Sequence, residues 1–500
     1  MDILHNLAIG FAAAATPTNL LFCFLGCLLG TAIGVLPGLG PASTIAMLLP
    51  VTFTLEPTTS LIMLAGIYYG AQYGGSTTAI LVNLPGEATS VVTALDGHQM
   101  ARKGKAGQAL AVAAVGSFIG GSVATLLIGM FAPALAYAAL KFGAPEYFSL
   151  MTLGLIASIV LAHGSIVKAL GMLLIGLILG IVGIDTTSGD YRMTLGFIEL
   201  SDGVSIVAVA MGLFGIGDII QTLGEKPDER RTFSLSFKSM FPSLQEWRMA
   251  FGPIVRGTAI GSVLGILPGG GALLSSFASY AIEKKVAKDP TRFGKGAIEG
   301  VAGPETANNA GAQTSFIPML TLGIPSNVIM ALMIGALLIQ GIQPGPAVIK
   351  EQPQLFWGLV VSMWIGNLML LILNLPLIGV WVKLLSMPYR LLFPAIMLFC
   401  SIGVLTINNN VFDLYVMVLF GLAGYAFLKL GCEPAPLLLG MVLGPMMESY
   451  LRRSMLLSRG DPMIFLERPL SAILLVAAFL ALVAVLLPSV RRKRDEAMAE

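Results

Sequence analysis

Long apolar runs separated by short polar breaks dominate the chain. Residues 109–139, 151–162, 203–217, 355–382 and 470–488 carry almost no charged side chain. A helix needs about 20 apolar residues to cross the hydrocarbon of a bilayer. By that measure the pattern predicts about 11 to 14 membrane segments, some too short to cross unaided. Backbone groups in lipid have no water to bond, so spans must be helices or a closed barrel. A barrel would alternate apolar and polar positions in segments of about 10 residues, and no such alternation runs through this sequence. The expectation is an all-α polytopic membrane protein.

Composition sharpens this reading. Of the 500 residues, 56% are hydrophobic and 11% charged, against about 25% charged in soluble domains. The net charge of +2 is carried in short loops and in the tail Arg491, Arg492, Lys493, Arg494. No basic stretch with interleaved aromatics occurs, so no nucleic-acid partner is expected. Cys23, Cys27, Cys400 and Cys432 sit in apolar surroundings and read as buried small hydrophobes, with a disulfide or metal role as the competing possibility. Met1–Ala15 contains no Lys or Arg. It lacks the basic start of a secretory signal, and the first span is expected to stay in the membrane.

Two motifs recur in the same order. Residues 30–40 and 261–271 both fit G-x-x-x-G-[VI]-L-P-G-x-G. Gly70-Ala71-Gln72 is followed by Asn83-Leu84-Pro85-Gly86, and Gly311-Ala312-Gln313 by Gly323-Ile324-Pro325-Ser326-Asn327. Two motifs in register argue for an internal duplication. Loop charge gives the orientation. Between the motifs, Thr54–Ser60 of the first half has no basic residue, whereas Glu283–Gly296 of the second has Lys284, Lys285, Lys288, Arg292 and Lys295. After the second motif the bias reverses: the first half has Arg102, Lys103 and Lys105, the second only Lys350. Positive loops stay in the cytoplasm, so equivalent loops face opposite sides, as in an inverted-topology repeat. The expected divisions are a first membrane repeat at 1–224, a cytoplasmic linker at 225–252, a second membrane repeat at 253–450, and a C-terminal segment at 451–500. Within the last, Arg452, Arg453 and Arg459 conflict with the basic tail, since only one obvious span separates them. Residues 451–468 are either an interfacial piece or one more short crossing.

The Gly-Pro interruptions are the candidate chemistry. Proline removes an amide donor and obstructs the preceding turn, and glycine lets the backbone leave helical geometry. Broken or re-entrant helices expose N–H groups that suit an anion and carbonyls that suit a cation. Small polar residues follow each break. The candidate substrate-binding set is Gly38, Gly40, Ser43, Thr44, Ser76, Thr77, Gly269, Gly271, Asn308 and Asn309. Ser275 and Ser276 follow the second break. The candidate cation-coupling set is Gln72, Asn83, Glu87, Glu305, Gln313 and Asn327, with sodium as the possible ion. Helix packing is the competing role for any single small residue. Glu87 and Glu305 lie inside the motif regions, where membrane carboxylates mark ion paths. Glu146, Asp185, Asp202, Asp218, Asp413 and Glu433 read as solvated or helix-capping residues at loop edges. His98 and His163 read as loop residues, and no H-E-x-x-H zinc motif occurs. Gly215-Ile216-Gly217-Asp218 matches the G-x-G-D of intramembrane proteases, but such chemistry needs a second aspartate. No Tyr-Asp dipeptide is present. An anion channel fits the same apolar pattern, whereas a non-transporting membrane scaffold would gain nothing from doubled Gly-Pro breaks.

The doubled L-P-G-x-G motifs, the stretch Tyr68–Thr78, the stretch Gly303–Ala312 and Leu95-Asp96-Gly97-His98-Gln99-Met100 together resemble the large membrane subunit of the tripartite tricarboxylate transporters, the TctA family. The resemblance covers roughly residues 15–450. It implies no enzyme activity and no cofactor. It implies secondary import of small carboxylates such as citrate, driven by a sodium or proton gradient across the bacterial cytoplasmic membrane. It also implies a small membrane subunit of about four helices and a periplasmic solute-binding protein as partners, with a homodimer possible. The chain accordingly has no G-x-x-x-x-G-K-[ST] phosphate loop. The expected mechanism is alternating access at a site near the bilayer middle, by an elevator-like motion or by a rocking bundle.

Overall fold

The protein is described by a computed structural model that covers residues 3–36, 40–83, 87–139, 141–161, 165–185, 187–224, 240–267, 271–385 and 389–486. Its first half contains α1 (Ile3–Ala14), α2 (Pro17–Gly34), α3 (Pro41–Thr52), α4 (Pro57–Val82), α5 (Val91–Arg102), α6 (Ala106–Ala139), α7 (Ala144–Leu161) and α8 (Ile166–Gly180). A two-residue ribbon follows, β1 (Gly183–Ile184) against β2 (Tyr191–Arg192). Then come α9 (Ile206–Ala210), a π-helical stretch (Met211–Ile216) and α10 (Gly217–Gly224). The second half contains α11 (Leu244–Leu264), α12 (Gly271–Val286), α13 (Glu299–Thr314), α14 (Phe316–Leu322), α15 (Val328–Ile339), α16 (Val348–Glu351) and α17 (Pro353–Asn374). It closes with α18 (Ile378–Leu385), α19 (Tyr389–Asn408), α20 (Val411–Lys429), α21 (Ala435–Leu457), α22 (Ile464–Glu467) and α23 (Pro469–Leu486).

The chain is an all-α polytopic membrane protein. Among the described residues, Pro17–Gly34, Ala106–Tyr137, Pro353–Asn374 and Val411–Lys429 are long and apolar enough to cross a bilayer by length and composition. Shorter apolar helices such as Pro41–Thr52, Ile166–Gly180 and Val328–Ile339 accompany them. Breaks at Gly and Pro, rather than polarity, cut the apolar material into pieces.

Glycine ladders bring the helices next to the motifs into contact. A Cβ at Gly26, Gly30 or Gly34 of α2 would fall 2.3, 2.3 or 2.4 Å from the carbonyl oxygens of Met63, Ile67 and Ala71 on α4. A Cβ at Gly257 or Gly261 of α11, or at Gly265 that caps it, would fall 2.4, 2.3 or 2.4 Å from those of Gly303, Ala307 and Gly311 on α13. Only a residue without a side chain permits this approach. In both pairs the numbers rise together, so each pair of helices runs in parallel. α12 returns antiparallel: Gly303 lies against Ser279 and Glu283, and Gly311 against Ala272 and Ser275. α4 and α13 meet in opposite directions, Gln72 with Asn308 and Ser76 with Glu305. The largest buried apolar cluster surrounds these helices. A smaller one joins α7, α8 and α21, and α23 packs on α7.

The basic loops gather at one end. Lys103 Nζ donates to the Lys295 carbonyl, and Lys105 pairs with Glu246 at 2.9 Å. From there the 34 residues of α6 rise roughly 51 Å at 1.5 Å each, which carries the chain to the opposite face. At that face Arg468 pairs with Glu146 at 3.2 Å, Arg452 with Asp185 at 2.7 Å and Arg192 with Glu448 at 2.8 Å. These pairs explain the region that conflicted with the loop-charge reading. Residues 451–468 are the last turns of α21, a turn and the short α22, and α23 then returns alone toward the basic tail. Arg452 and Arg468 are tolerated on this face because each has an acidic partner. Glu146 and Asp185 are therefore ion-paired rather than plain capping residues.

Three further differences have local causes. Ser243 and Glu246 form a reciprocal capping box, so α11 begins at Leu244 and takes in 244–252, the end of the expected linker. Residues 225–239 lie outside the described residues. His98 lies on α5, with Nδ1 3.2 Å from the Ile80 carbonyl, and His163 lies outside the described residues. The four cysteines are free. Cys23 and Cys27 bury their thiols against the Ser362 and Gly366 carbonyls of α17 at 3.9 and 3.7 Å.

Candidate functional site

The antiparallel crossing of α4 and α13 builds a buried polar network. Helical spacing of three to four residues puts Gln72 and Ser76 on one face of α4, and Glu305, Asn308 and Asn309 on the facing side of α13. Glu305 Oε2 accepts from Ser76 Oγ at 2.5 Å, and Oε1 accepts from the Thr93 hydroxyl of α5. Gln72 Nε2 donates to Asn308 Oδ1 at 3.2 Å, and Asn308 Nδ2 donates to Glu87 Oε1 at 3.3 Å. Asn309 Nδ2 donates to Ser117 Oγ of α6 at 2.7 Å and to the Glu305 carbonyl at 3.2 Å. Four helices and both halves of the chain therefore share one network. Glu305, Asn308, Asn309 and Gln72 are each at most 1% exposed.

Its electrostatics are one-sided. Two carboxyl groups belong to it: Glu87 accepts from the Asn308 amide, and Glu305 from the Ser76 and Thr93 hydroxyls. Among the described residues no Lys or Arg pairs with either of them. A carboxylate buried without a cation is costly, so negative charge here requires a mobile counter-charge. Beside Glu305 lies a cavity of about 10 Å³ lined by Tyr73, Ser76, Thr77, Ser117 and Asn374, room for about one water. Gln72 Oε1 and Asn374 Oδ1 have no hydrogen-bond partner. Along α4, Ser76 lies roughly 28 Å from the helix start, about midway between the middle of that helix and its C-terminal end.

The other expected residues fall elsewhere. Gly38 and Gly269 lie outside the described residues. Gly40 caps α3, its carbonyl accepting from Thr44 Oγ1 at 2.9 Å, and Ser43 is buried beside it. Thr77 turns its hydroxyl back onto the Tyr73 carbonyl at 3.1 Å. Asn83 ends α4 in the left-handed region, φ 58, and is exposed. Gly271, Ser315 and Asn327 gather at a separate place: a Cβ on Gly271 would lie 3.0 Å from Ser315 Oγ, and Asn327 Nδ2 donates to that oxygen at 3.4 Å. Gln313 belongs to neither group. Its Oε1 lies 3.4 Å from Thr125 Oγ1 of α6. Ser275 returns its hydroxyl to Gly271, and Ser276 bonds the Pro304 carbonyl. The G-x-G-D glycines are packing residues, with Gly217 set against Gly424 of α20.

The sequence reading missed Thr93 and Ser117. Each is a polar residue within or beside an apolar run, and that isolation was the available signal. A second cavity of about 510 Å³ at the opposite face is lined by Tyr147, Gln343, Glu351, Gln352, Met446 and Tyr450. It has no basic lining residue to attract a carboxylate.

Comparison with known proteins adds independent findings. Residues 20–439 match the family model described as the tripartite tricarboxylate transporter TctA family. An Agrobacterium vitis protein described as an uncharacterized 52.8 kDa protein in the TAR-I ttuC' 3' region is 59% identical over 500 residues, covering 100% of this chain and 99% of its own. A second, from the TAR-II ttuC' 3' region of the same organism, is 61% identical over 240 residues, 48% of this chain and 99% of its own. No solved structure matches.

Proposed function

The chain belongs to the tripartite tricarboxylate transporter TctA family, and from that premise we propose that it imports small carboxylates, citrate or another di- or tricarboxylate, across the bacterial cytoplasmic membrane with a cation gradient. The family implies a tripartite system, with a small membrane subunit and a solute-binding protein beside this large one. In the proposal the binding protein delivers substrate at the face where Arg452 and Arg468 lie, and the basic loops stay in the cytoplasm.

One observation carries the reading. Two unpaired carboxyl groups and a set of amides from both halves converge in a buried network. Such a network holds a cation when loaded, and the cation then offsets the charge of an anionic substrate. This couples the two fluxes, because neither charge enters the site cheaply alone. Asn308, Asn309 and Ser76 supply neutral hydrogen-bonding groups for the substrate, as Gly40, Ser43, Thr44 and Gly271 do at the two breaks.

The space beside Glu305 fits about one water and cannot hold a tricarboxylate, so loading requires movement. An elevator-like motion fits the packing. α2, α4, α5, α6 and α11–α13 share one glycine-laddered unit, while α7, α8, α21 and α23 pack chiefly among themselves. The parallel pairs α2–α4 and α11–α13, built on equivalent glycines, support the inverted repeat.

Uptake of radiolabelled citrate into proteoliposomes holding all three components tests the reading. Accumulation under an inward sodium or proton gradient, lost in Asn309→Ala while that variant still folds, is the expected result. Citrate that merely equilibrates, whatever the gradient, would reject coupled transport in favour of a channel.

A further inference from the structure

A second buried polar group lies apart from the Glu305 network, between α6, α13 and α17. Gln313 of α13, Thr125 of α6 and Asn367 of α17 are all fully buried. Asn367 has no partner on either Oδ1 or Nδ2, and Gln313 has none on Nε2. The three side chains flank the same turn of α6. A Cβ on Gly121 would fall 2.8 Å from Asn367 Nδ2, and the Gly121 carbonyl accepts from Thr125 Oγ1 at 2.8 Å. Thr125 Oγ1 in turn lies 3.4 Å from Gln313 Oε1.

Buried amides left unpartnered lose the hydrogen bonds that water gave them, and native interiors seldom leave several together. The hydroxyl proton of Thr125 is already spent on Gly121. Oxygen therefore faces oxygen where Thr125 meets Gln313. Half a turn of the Gln313 amide, which keeps its shape, lets Nε2 donate to Thr125. Its oxygen then occupies the position that now lacks a partner. Asn367 Oδ1 is a second unspent oxygen. Gly121, which carries no side chain, lets the Asn367 amide pack directly against that turn of α6.

We propose that Gln313, Asn367 and Thr125 form a monovalent cation site of sodium size, separate from the carboxylates of Glu87 and Glu305. Hard cations take oxygen ligands. A divalent ion would need carboxylates to offset its desolvation, and among the described residues no cluster of acidic, His or Cys side chains offers them. The site has a counterpart in the other half. Gln313 and Gln72 end the two Gly-Ala-Gln motifs, both are buried, and each has one unpartnered amide atom. Gln72 lies beside carboxylates, whereas Gln313 lies among neutral groups. The two motif copies thus provide one charged and one neutral cation position. This assignment rests on the proposed cation coupling for its role in transport, but ion binding itself is measured without transport.

The test is thermal unfolding of the purified chain in detergent, titrated with sodium chloride against potassium and choline chloride at constant ionic strength. Sodium alone should raise the melting temperature with a saturable dependence. Asn367→Ala should raise the half-saturating sodium concentration about tenfold or more. Thr125→Val, which keeps the shape and removes the oxygen, should weaken the response even if Asn367→Ala fails to fold. A wild-type response no greater with sodium than with potassium would overturn the site. So would a sodium response unchanged in Thr125→Val. Sodium binding without gradient-driven uptake of any di- or tricarboxylate would instead defeat the transport reading and leave this site standing.

Discussion

Replacing Glu305 with Gln separates charge from shape at the centre of the proposed site. The side chain accepts from two hydroxyls, Ser76 and Thr93. Gln has nearly the same volume, and its oxygen still accepts from one of them. Ser76 has a second acceptor in the Gln72 carbonyl at 3.0 Å, so the fold should lose no more than about 1 kcal/mol. The charge is lost completely. A cation about 4–6 Å from a carboxylate gains roughly 3–4 kcal/mol at an effective dielectric constant near 20. At about 1.4 kcal/mol per tenfold, Glu305→Gln should raise the half-saturating cation concentration for uptake on the order of 100-fold. Glu305→Ala should behave differently. It leaves two buried hydroxyls without their acceptor and opens a cavity, at a cost of about 2–5 kcal/mol in stability. Initial rates of citrate uptake, measured against sodium at fixed pH and against pH at fixed sodium, give the cation dependence. Melting in detergent gives the stability. A Glu305→Gln transporter with wild-type dependence on both cations would refute the reasoning, because the charge would then have no part in coupling.

Other expectations follow from the packing and the ion pairs. Gly261→Val on α11 should destabilise the protein by more than about 2 kcal/mol, since its Cβ would fall 2.3 Å from the Ala307 carbonyl; Gly171→Ala, which meets nothing within 4 Å, should melt like wild type. Backbone amides of Thr187 and Ser188, together with Arg452, hold the Asp185 carboxyl below the ordinary carboxylate range. Its stabilising effect should therefore be full above the ordinary pKa of about 3.9 and lost as pH falls through the lower folded value. Hydrogen exchange in residues 182–203 should accelerate in that acid window, and should already be fast at neutral pH in Asp185→Asn. Cysteines introduced at Lys105 and at Arg459 should react with an impermeant thiol reagent from opposite sides of the membrane. Labelling of both from one side would contradict the topology.

The sequence made the helical class and the basic face legible, because hydrophobic length and loop charge are local properties. It also brought out Glu305, Asn308, Asn309, Gln72 and Ser76, since their motifs broke an otherwise apolar pattern. Their convergence was not legible. Which face of α13 meets α4 depends on the ladders of Gly257, Gly261 and Gly265 and on packing between distant segments. Asn83 and Asn327 stand on opposite sides of their motif prolines and differ in place: Asn83 ends α4 in the left-handed region at the surface, as its motif equivalent Gly323 ends α14, while Asn327 caps α15 through the Met330 amide at 2.9 Å. Arg452 conflicted with the loop-charge reading because that reading counts bases alone, whereas Glu448 one turn away and the distant Asp185 both pair with it. Asn367 gave the weakest warning, one amide inside the long apolar run of α17.

Counterflow of labelled citrate is the most direct measurement of the central claim, a carrier that binds a carboxylate and exposes it alternately to the two sides. Vesicles with all three components would be loaded with unlabelled citrate and diluted into a trace of labelled citrate with no cation gradient. The account predicts a transient accumulation of label above equilibrium, abolished in Asn309→Ala. A monotonic approach to equilibrium without overshoot, in vesicles that do pass citrate, would contradict it and identify a channel.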